Sequence, residues 1–232
     1  MASTRMTAEE RKVGIIKAAI PVFAENGFNG ASVRDIASAA GISEALIYRH
    51  FPSKEVLYEE LLGYTRSMLA ASIPEFDVLE PGAETLITLV YFLVEVIMLD
   101  VPGRGAGQKA HERLLFQSLT GDTAFAQRHF NALEDAWSDK LASCIEIATN
   151  EGDIIAMPVP PANRIWFTHH LAMALNLCHI SGEPAFNYEG TREELAEQAI
   201  MFCLRGIGLT ENAIKRNYDR SKLQAFREHI FG

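Results

Sequence analysis

The chain has 232 residues, of which 48% are hydrophobic and 22% are charged, and its formal net charge is −9. This composition is typical of a globular protein with a sizeable buried core. Because binding to phosphates requires Lys and Arg, the acidic balance argues against a general polyanion binder. The three cysteines fit neither a disulfide framework nor a zinc site by their spacing. The polar start, MASTRMTAEERK, is unlike a secretory signal, so we expect a soluble cytoplasmic protein with no membrane partner.

A first helix is predicted from Thr7 to Asn26. Thr7 and Glu10 form a capping-box pattern, and apolar residues then recur every three or four positions. Gly27 is expected to end the helix, since glycine enters the left-handed conformation without a Cβ penalty. Pro21 lies inside the helix and predicts a kink in the preceding turn, because proline lacks the backbone donor.

Residues 32–51 read SVRDIASAAGISEALIYRHF and predict two short helices joined by a turn at Gly41. Ser32 followed by Asp35 is a second capping-box pattern, and Ser43 is placed to cap the second short helix. Two helices joined in this way, with the second exposed, form the usual DNA-reading motif.

The second short helix is expected to bury Ile47 and Phe51, which lie four residues apart on one face. Pro52 then stops it, because the residue before a proline avoids the helical region. With those two side chains inward, the outer surface carries Ser43, Glu44, Ala45, Leu46, Tyr48 and His50.

The rest of the chain shows helical periodicity and no convincing strand alternation, so the predicted fold class is all-α. The most apolar stretch, residues 86–99, is too short to span a bilayer and predicts a buried core helix. The remaining helices are predicted at 53–73 (Val56, Leu57, Leu61 and Met68 inward), 83–99, 108–119 after a glycine-rich loop at 102–107 (Leu114, Leu115 and Leu119 inward), 123–150, 162–180, 191–208 and 211–231.

Over residues 10–62 these motifs resemble the TetR family of one-component transcriptional regulators. The resemblance implies an N-terminal three-helix DNA-binding domain with a helix-turn-helix at 1–53, and a larger helical domain at 54–232 for ligand binding and dimerisation. It also implies a homodimer that binds a palindromic DNA operator and is released by a small-molecule effector, and we expect the protein to act as a repressor. The matching residues are Phe23…Gly27, Ser32…Ile36-Ala37, Gly41-Ile42-Ser43, Ile47-Tyr48-Arg49-His50-Phe51 and Ser53-Lys54-Glu55.

The same resemblance assigns the DNA-binding residues by position. Ser32, Tyr48, His50 and Lys54 match positions that touch phosphates, and Arg34, Glu44, Ala45 and Leu46 match positions that face bases, with Ser43 between them. Arg can fork onto guanine, Glu can accept from cytosine, and Ala or Leu can meet a thymine methyl group. Glu44 and Leu46 make this face unusually acidic and apolar for the family.

An effector cavity and a dimer interface are expected in the C-terminal part. Helices at about 162–180 and 191–208 are apolar on more than one face, which suits an intersubunit four-helix bundle, although an intramolecular core would show the same pattern. The candidate effector-binding residues, each of which has a simple core role as its alternative, are Met68, Phe92, His111, Phe116, Trp137, Trp166 and His170.

No cofactor, metal ion or enzymatic activity is expected. The adjacent His169 and His170 point about 100° apart on a helix and cannot easily face one metal ion. We find no nucleophile and base at a defensible spacing. A helical enzyme or small-molecule carrier that contains a helical hairpin is the alternative from another class, and an activator or architectural DNA binder is the alternative within regulation.

Overall fold

The structure is a computed structural model that describes residues 7–70, 76–99, 105–121, 123–179, 184 and 186–231, with the side chains of 65–70, 105–108 and 231 outside the description. Within these residues the fold is all-helical, as predicted, apart from one isolated antiparallel bridge between Ile154 and Leu209. The helices are α1 (Ala8–Gly30), α2 (Val33–Ala40), α3 (Glu44–His50), α4 (Lys54–Ala70), α5 (Ala83–Met98), α6 (Gly105–Thr120), α7 (Ala124–Asn150), α8 (Pro161–Leu177), α9 (Arg192–Ile207), α10 (Glu211–Asn217) and α11 (Arg220–Phe231).

Helix α1 begins as the sequence predicts and is interrupted at one residue. The Thr7 hydroxyl accepts from the Glu10 amide, and the Glu10 carboxylate accepts from the Thr7 amide, which completes the capping box. Gly27 has φ 68° and ψ 173°, so the regular helix ends before it and a short turn follows. The non-helical backbone angles lie at Gly27 and not in the turn before Pro21, where the kink was expected.

The two short helices form with the caps that their sequence predicts. Ser32 and Asp35 make a complete capping box at the start of α2, and Gly41 ends that helix at φ 66°. The Ser43 hydroxyl then accepts from the Leu46 amide at 3.3 Å and caps α3. Ile47 and Phe51 are buried, so the predicted inward face of α3 is confirmed.

Helix α4 differs from the prediction in one inward residue. Leu57 and Leu61 are fully buried, whereas Val56 is 37% exposed. The buried stripe continues through Tyr58 and Leu62, and Val56 lies about 100° away from Leu57 on the helix surface. The side chain of Met68 lies outside the described residues.

Helix α6 begins earlier than predicted. It includes Gly105 to Gly107, which were predicted to lie in a loop because glycine has low helix propensity. Leu114 and Leu115 are buried as predicted, but Leu119 is 43% exposed. Ser118 takes the inward position instead, and its hydroxyl accepts from the Ala126 amide at 3.1 Å.

The predicted C-terminal helix at 211–231 is two helices. Tyr218 leaves the helical region with ψ 102°, and its hydroxyl donates to the Glu197 carboxylate at 2.7 Å. Asp219 then accepts from the amides of Ser221 and Lys222, so it caps α11. The side chain of Asp219 therefore offers the backbone an alternative to a continuous helix.

The described residues fall into two compact units. One comprises residues 1–71 and 104–134, which hold α1 to α4, α6 and the start of α7. The other comprises residues 72–103 and 135–232, whose core forms around the largely buried α5. The predicted boundary between residues 53 and 54 separates a DNA-binding function from effector binding and dimerisation, and it stays a prediction. In the part of the chain that the structure describes, none of the helices combines the length and apolar character needed to cross a bilayer.

Candidate nucleic-acid interface and effector residues

Helix α3 presents a continuous outer face. Ile47 and Phe51 anchor it from below, at 1% and 0% exposure, while Tyr48 is 49% exposed. Because a helix of seven residues is too short to be stable alone, those two anchors and the Ser43 cap hold it in place. Of the other predicted DNA-binding residues of this face, Ser43, Glu44 and Ala45 are exposed, and Leu46 and His50 are half-buried.

The start of α2 lies close to this face in sequence and carries two further predicted contacts, Ser32 and Arg34. Arg34 is exposed in the first turn, with its guanidinium available to a ligand. The Ser32 hydroxyl both donates to the Asp35 carboxylate and accepts from the Asp35 amide. These bonds to Ser32 hold the pKa of the Asp35 carboxyl below its usual value. The capping box therefore keeps a negative charge at the start of α2.

Lys54 is placed differently from the other predicted phosphate contacts. Its amine donates to the carbonyl oxygen of Phe28 at 2.8 Å and to that of Ala31 at 3.1 Å. The amine also lies 4.5 Å from the centre of the Phe28 ring. The Phe28 ring in turn packs on Phe23 and Tyr58, at centroid distances of 6.1 and 4.9 Å.

The predicted effector residues do not form a single described cluster. Phe92 and Trp137 both pack edge-on against the fully buried Phe76, at 4.6 and 4.9 Å. This packing favours a core role for both. Trp166 instead stacks on His170, which is exposed on α8, at a centroid distance of 5.7 Å. Partial burial lowers the pKa of His170, which favours its neutral form.

A histidine pair in the first unit includes one residue that the sequence analysis missed. The His111 ring lies 5.0 Å from the Phe125 ring and 5.2 Å from the His129 ring. Burial lowers the pKa of His129 to about 4. The spacing of Phe125 and His129, four residues apart on α7, was the available signal. Phe116 on α6 is half-buried.

Cysteine and metal chemistry receive no support from the geometry. Cys144 and Cys203 are buried and Cys178 is half-buried, and all three are free thiols. Burial raises the pKa of the Cys203 thiol to about 11, which disfavours the reactive thiolate. Among the residues that the structure describes, no group of three or more His, Cys, Asp or Glu side chains is arranged to hold a metal ion.

A largely buried ion pair connects the C-terminal helix α11 to α5. The Arg227 guanidinium lies 3.1 Å from the Glu95 carboxylate, and the two side chains are 21% and 9% exposed. Burial raises the pKa of Glu95, and Arg227 opposes that rise. Phe226 of α11 also packs edge-on against Phe76 at 5.4 Å. An arginine from α11 therefore neutralises a carboxylate that lies inside the second unit.

Helices α8 and α9 expose large apolar side chains. Phe167 is 61% exposed, Leu177 48% and Phe202 68%. Exposed positions recur every three or four residues on each helix, as in a helical bundle that has a partner. We call them the α8/α9 stripe, which consists of Phe167, His170, Ala174 and Leu177 on α8 and Gln198, Phe202 and Gly206 on α9.

Two capped short helices with an exposed second helix define a helix-turn-helix protein. Residues 15–61, which contain both helices, match the model described as bacterial regulatory proteins, tetR family. Residues 15–61 are therefore a DNA-binding segment of the tetR type, and the resemblance predicted for this segment is confirmed.

A curated repressor shares sequence with part of the chain. The HTH-type transcriptional repressor KstR2 of Rhodococcus jostii RHA1 is 44% identical over 52 residues, which are 22% of this chain and 26% of that protein. The chain thus spans about a quarter of the length of this curated relative.

Solved structures share the fold over nearly the whole chain. The ketosteroid transcriptional regulator KstR2 of Mycobacterium tuberculosis has a TM-score of 0.57 at 20% identity, covering 90% of this chain and 100% of that one. AibR, solved in complex with isovaleryl coenzyme A and operator DNA, has a TM-score of 0.61 at 19% identity, covering 83% and 97%. At these identities the likeness establishes the architecture of the C-terminal helices and not their ligand.

Proposed function

We propose that the protein is a homodimeric transcriptional repressor that binds a palindromic DNA operator and is released from it by a small-molecule effector. The observation that carries this proposal is the exposed face of α3, which buried Ile47 and Phe51 support within a segment of the tetR family. Each copy of α3 lies in the major groove of one half-site. We call the two copies of α3 in the dimer the readers. Because they are related by two-fold symmetry, the half-sites that they contact lie about one turn of DNA apart, roughly 34 Å.

The proposed contacts divide into positioning and reading. Tyr48 and His50 donate to phosphates, and Ser43 can also do so, because its cap uses only the hydroxyl oxygen as an acceptor. Arg34, Glu44, Ala45 and Leu46 face the base edges. Ser32 contributes mainly by holding the start of α2, since its hydroxyl is engaged with Asp35. Specificity therefore depends on Arg34 and on thymine methyl groups next to Ala45 and Leu46.

The acidic balance of the chain supports specific rather than general DNA binding. The net charge of −9 repels phosphates at a distance. The first 63 residues hold seven Lys and Arg against eight Asp and Glu, so most of the excess negative charge lies in the rest of the chain. Operator affinity then comes from a few local contacts that the dimer doubles.

Dimerisation is proposed through the α8/α9 stripe. Phe167 and Phe202 expose more surface than is usual for aromatic side chains, and a second copy would cover it. A two-fold interface uses the same patch on both copies, so a single stripe is sufficient. Ala174 and Gly206 are exposed small residues that allow the helices to approach closely.

The effector is proposed to bind in the C-terminal part of the chain and to favour a form whose two readers no longer match the operator spacing. An effector shifts this balance only by its difference in affinity for the two forms. A shift from mostly bound to mostly released requires about 5 kcal/mol of such difference. The isovaleryl coenzyme A bound by AibR supports this general mode.

Replacing Tyr48 with alanine tests the DNA-binding role. An operator is first selected from random double-stranded DNA with the parent protein, and affinities are then measured by gel shift. Tyr48→Ala should weaken operator binding on the order of tenfold, since one phosphate hydrogen bond is lost in each half-site. Tyr188→Ala is a matched control, because Tyr188 is similarly exposed at 39% but lies before α9.

Two results would contradict the proposal. One is a selection that enriches no palindromic sequence with the intact protein. The other is a Tyr48→Ala variant with the affinity of the parent. The effector is sought separately, by screening compounds that both raise the melting temperature and release the operator, because a ligand that binds the folded protein stabilises it.

A further inference from the structure

Lys54 lies at the first residue of α4, and its amine reaches back to the turn between α1 and α2. It donates to the carbonyl oxygens of Phe28 and Ala31, which precede it by 26 and 23 residues. An ammonium group has three donors, so two of them are used in the absence of DNA. The face of the Phe28 ring, 4.5 Å away, also stabilises the charge.

The end of α1 presents carbonyl groups that a cation can stabilise. The last carbonyl groups of a helix have no partner within it, and the last turn of α1 contains no basic residue. A cation near these carbonyls is favourable because the C-terminal end of a helix carries partial negative charge. Lys54 supplies from α4 the cation that α1 does not contain.

The turn leads directly into the DNA-facing start of α2. Gly27, at φ 68°, turns the chain out of α1, and the Ala31 amide donates back to the Gly27 carbonyl oxygen at 3.1 Å. The Ala31 side chain is buried, and the next residue, Ser32, caps α2. The position of the Ala31 carbonyl therefore fixes where Ser32 and Arg34 point.

We infer that Lys54 is a positioning residue for DNA recognition, which holds the turn between α1 and α2 and so orients Arg34, and that it is not a phosphate ligand. This inference rests on the proposed function and replaces direct phosphate contact as the role of Lys54. Phosphate binding would require the amine to give up one of its carbonyls or to use its third donor alone.

The test compares Lys54→Met with the parent protein by two measurements. The first is the dependence of operator affinity on salt concentration. Affinity should fall on the order of tenfold, while the slope of log affinity against log salt stays the same. The second is amide hydrogen exchange of the free protein, in which protection at residues 28–36 should fall. Lys54→Gln serves as a second variant should Lys54→Met fail to fold.

Lys12→Met is the matched control. Lys12 also lies in the DNA-binding segment and its amine pairs with Glu60 of α4 at 2.8 Å, but it makes no bond to the turn. Its loss should leave exchange at residues 28–36 unchanged. Lys54→Arg should restore protection in part, because a guanidinium can both stack on Phe28 and donate to carbonyls.

The outcomes separate the two roles of Lys54. A slope that falls by about 1 per subunit, with exchange in the free protein unchanged, would identify Lys54 as a phosphate ligand and overturn the inference. Unchanged affinity and unchanged exchange would overturn it as well. If the parent protein itself binds no operator, the proposed function fails, whereas exchange at residues 28–36 still decides whether Lys54 holds the turn.

Discussion

Burial of His129 against Phe125 and His111 gives this histidine a pKa of about 4, well below the ordinary value of 6.5. The unfolded chain takes up a proton here as pH falls through about 6.5, whereas the folded chain does so only near pH 4. The free energy of unfolding contributed at this site should therefore decrease as pH falls from 6.5 to 4. The loss should amount to about 1–3 kcal/mol.

The His129→Gln variant tests this pH dependence. The free energy of unfolding of parent and variant is measured by urea denaturation between pH 4 and 7.5, and their difference is plotted against pH. As pH falls, the unfolding free energy of the parent should decrease relative to that of the variant. His229→Gln, at an exposed position, is the matched control, and a difference for His129→Gln that stays constant with pH would contradict the prediction.

At the scale of single residues, local chemistry was predictable and distant contacts were not. Thr7, Ser32 and Ser43 were identified as caps because their partners lie three residues away in the sequence. The bonds from Lys54 to Phe28 and Ala31 cross more than 20 residues and depend on how α1 meets α4. No local pattern encodes such a meeting.

At the scale of elements, the attachment of α11 depends on the pair between Arg227 and Glu95. Arg227→Met would leave a buried carboxylate without its cation, so the variant should lose about 3 kcal/mol of unfolding free energy. Arg205→Met is the matched control. It removes an exposed pair with Glu211, so its loss should cost much less than that of Arg227.

Urea denaturation at pH 7.5 and pH 5 measures both variants. Burial raises the pKa of Glu95, so its protonated form is favoured in the folded chain without Arg227. The deficit of Arg227→Met should therefore shrink as pH falls and Glu95 takes up a proton. The buried role of the Arg227–Glu95 pair would be contradicted if both variants lost the same unfolding free energy. It would also be contradicted if the loss in Arg227→Met grew toward pH 5.

The positions of most helices followed from periodicity, and the errors have distinct causes. Val56 and Leu119 are apolar but lie at the edge of their stripes, where a shift of one residue decides exposure. Gly105 begins α6 although glycine disfavours helices, so the low helix propensity of the glycine-rich stretch led to a late predicted start. Asp219 can either continue a helix or cap one, and the bond from Tyr218 to Glu197 favours the cap.

At the scale of the whole molecule, a substitution in the α8/α9 stripe tests the proposed dimer. Phe202→Glu should weaken dimerisation at least about tenfold, because each copy loses a large apolar contact and gains a charge in the interface. Analytical ultracentrifugation over a range of concentrations measures the change. Operator affinity should fall with it, since a monomer presents only one reader.

Val78→Glu provides the control for the added charge. Val78 is also a strongly exposed apolar residue, at 77%, and lies outside α8 and α9. It should leave the dimer intact. A Phe202→Glu variant that remains dimeric would place the interface elsewhere on the chain.

The fold of the C-terminal part was predictable as helical, whereas its ligand site was not. Nothing in the local sequence distinguishes the candidate residues Phe92 and Trp137, and both pack on Phe76, which precedes them by 16 and 61 residues. The packing of the helices decides which aromatic side chains are buried in the core and which remain accessible to a ligand. That information is spread over several helices and appears in no short motif.

The two tryptophans lie in different chemical surroundings, so the intrinsic fluorescence of each reports on a different part of the protein. Trp137 lies against Phe76 inside the second unit, whereas Trp166 stacks on His170 of the α8/α9 stripe. Indole emission changes when water is excluded from around the ring. The fluorescence of a Trp137→Phe variant, which retains Trp166 alone, should therefore change with protein concentration if the proposed dimer forms through the stripe, without any dye attached to the protein.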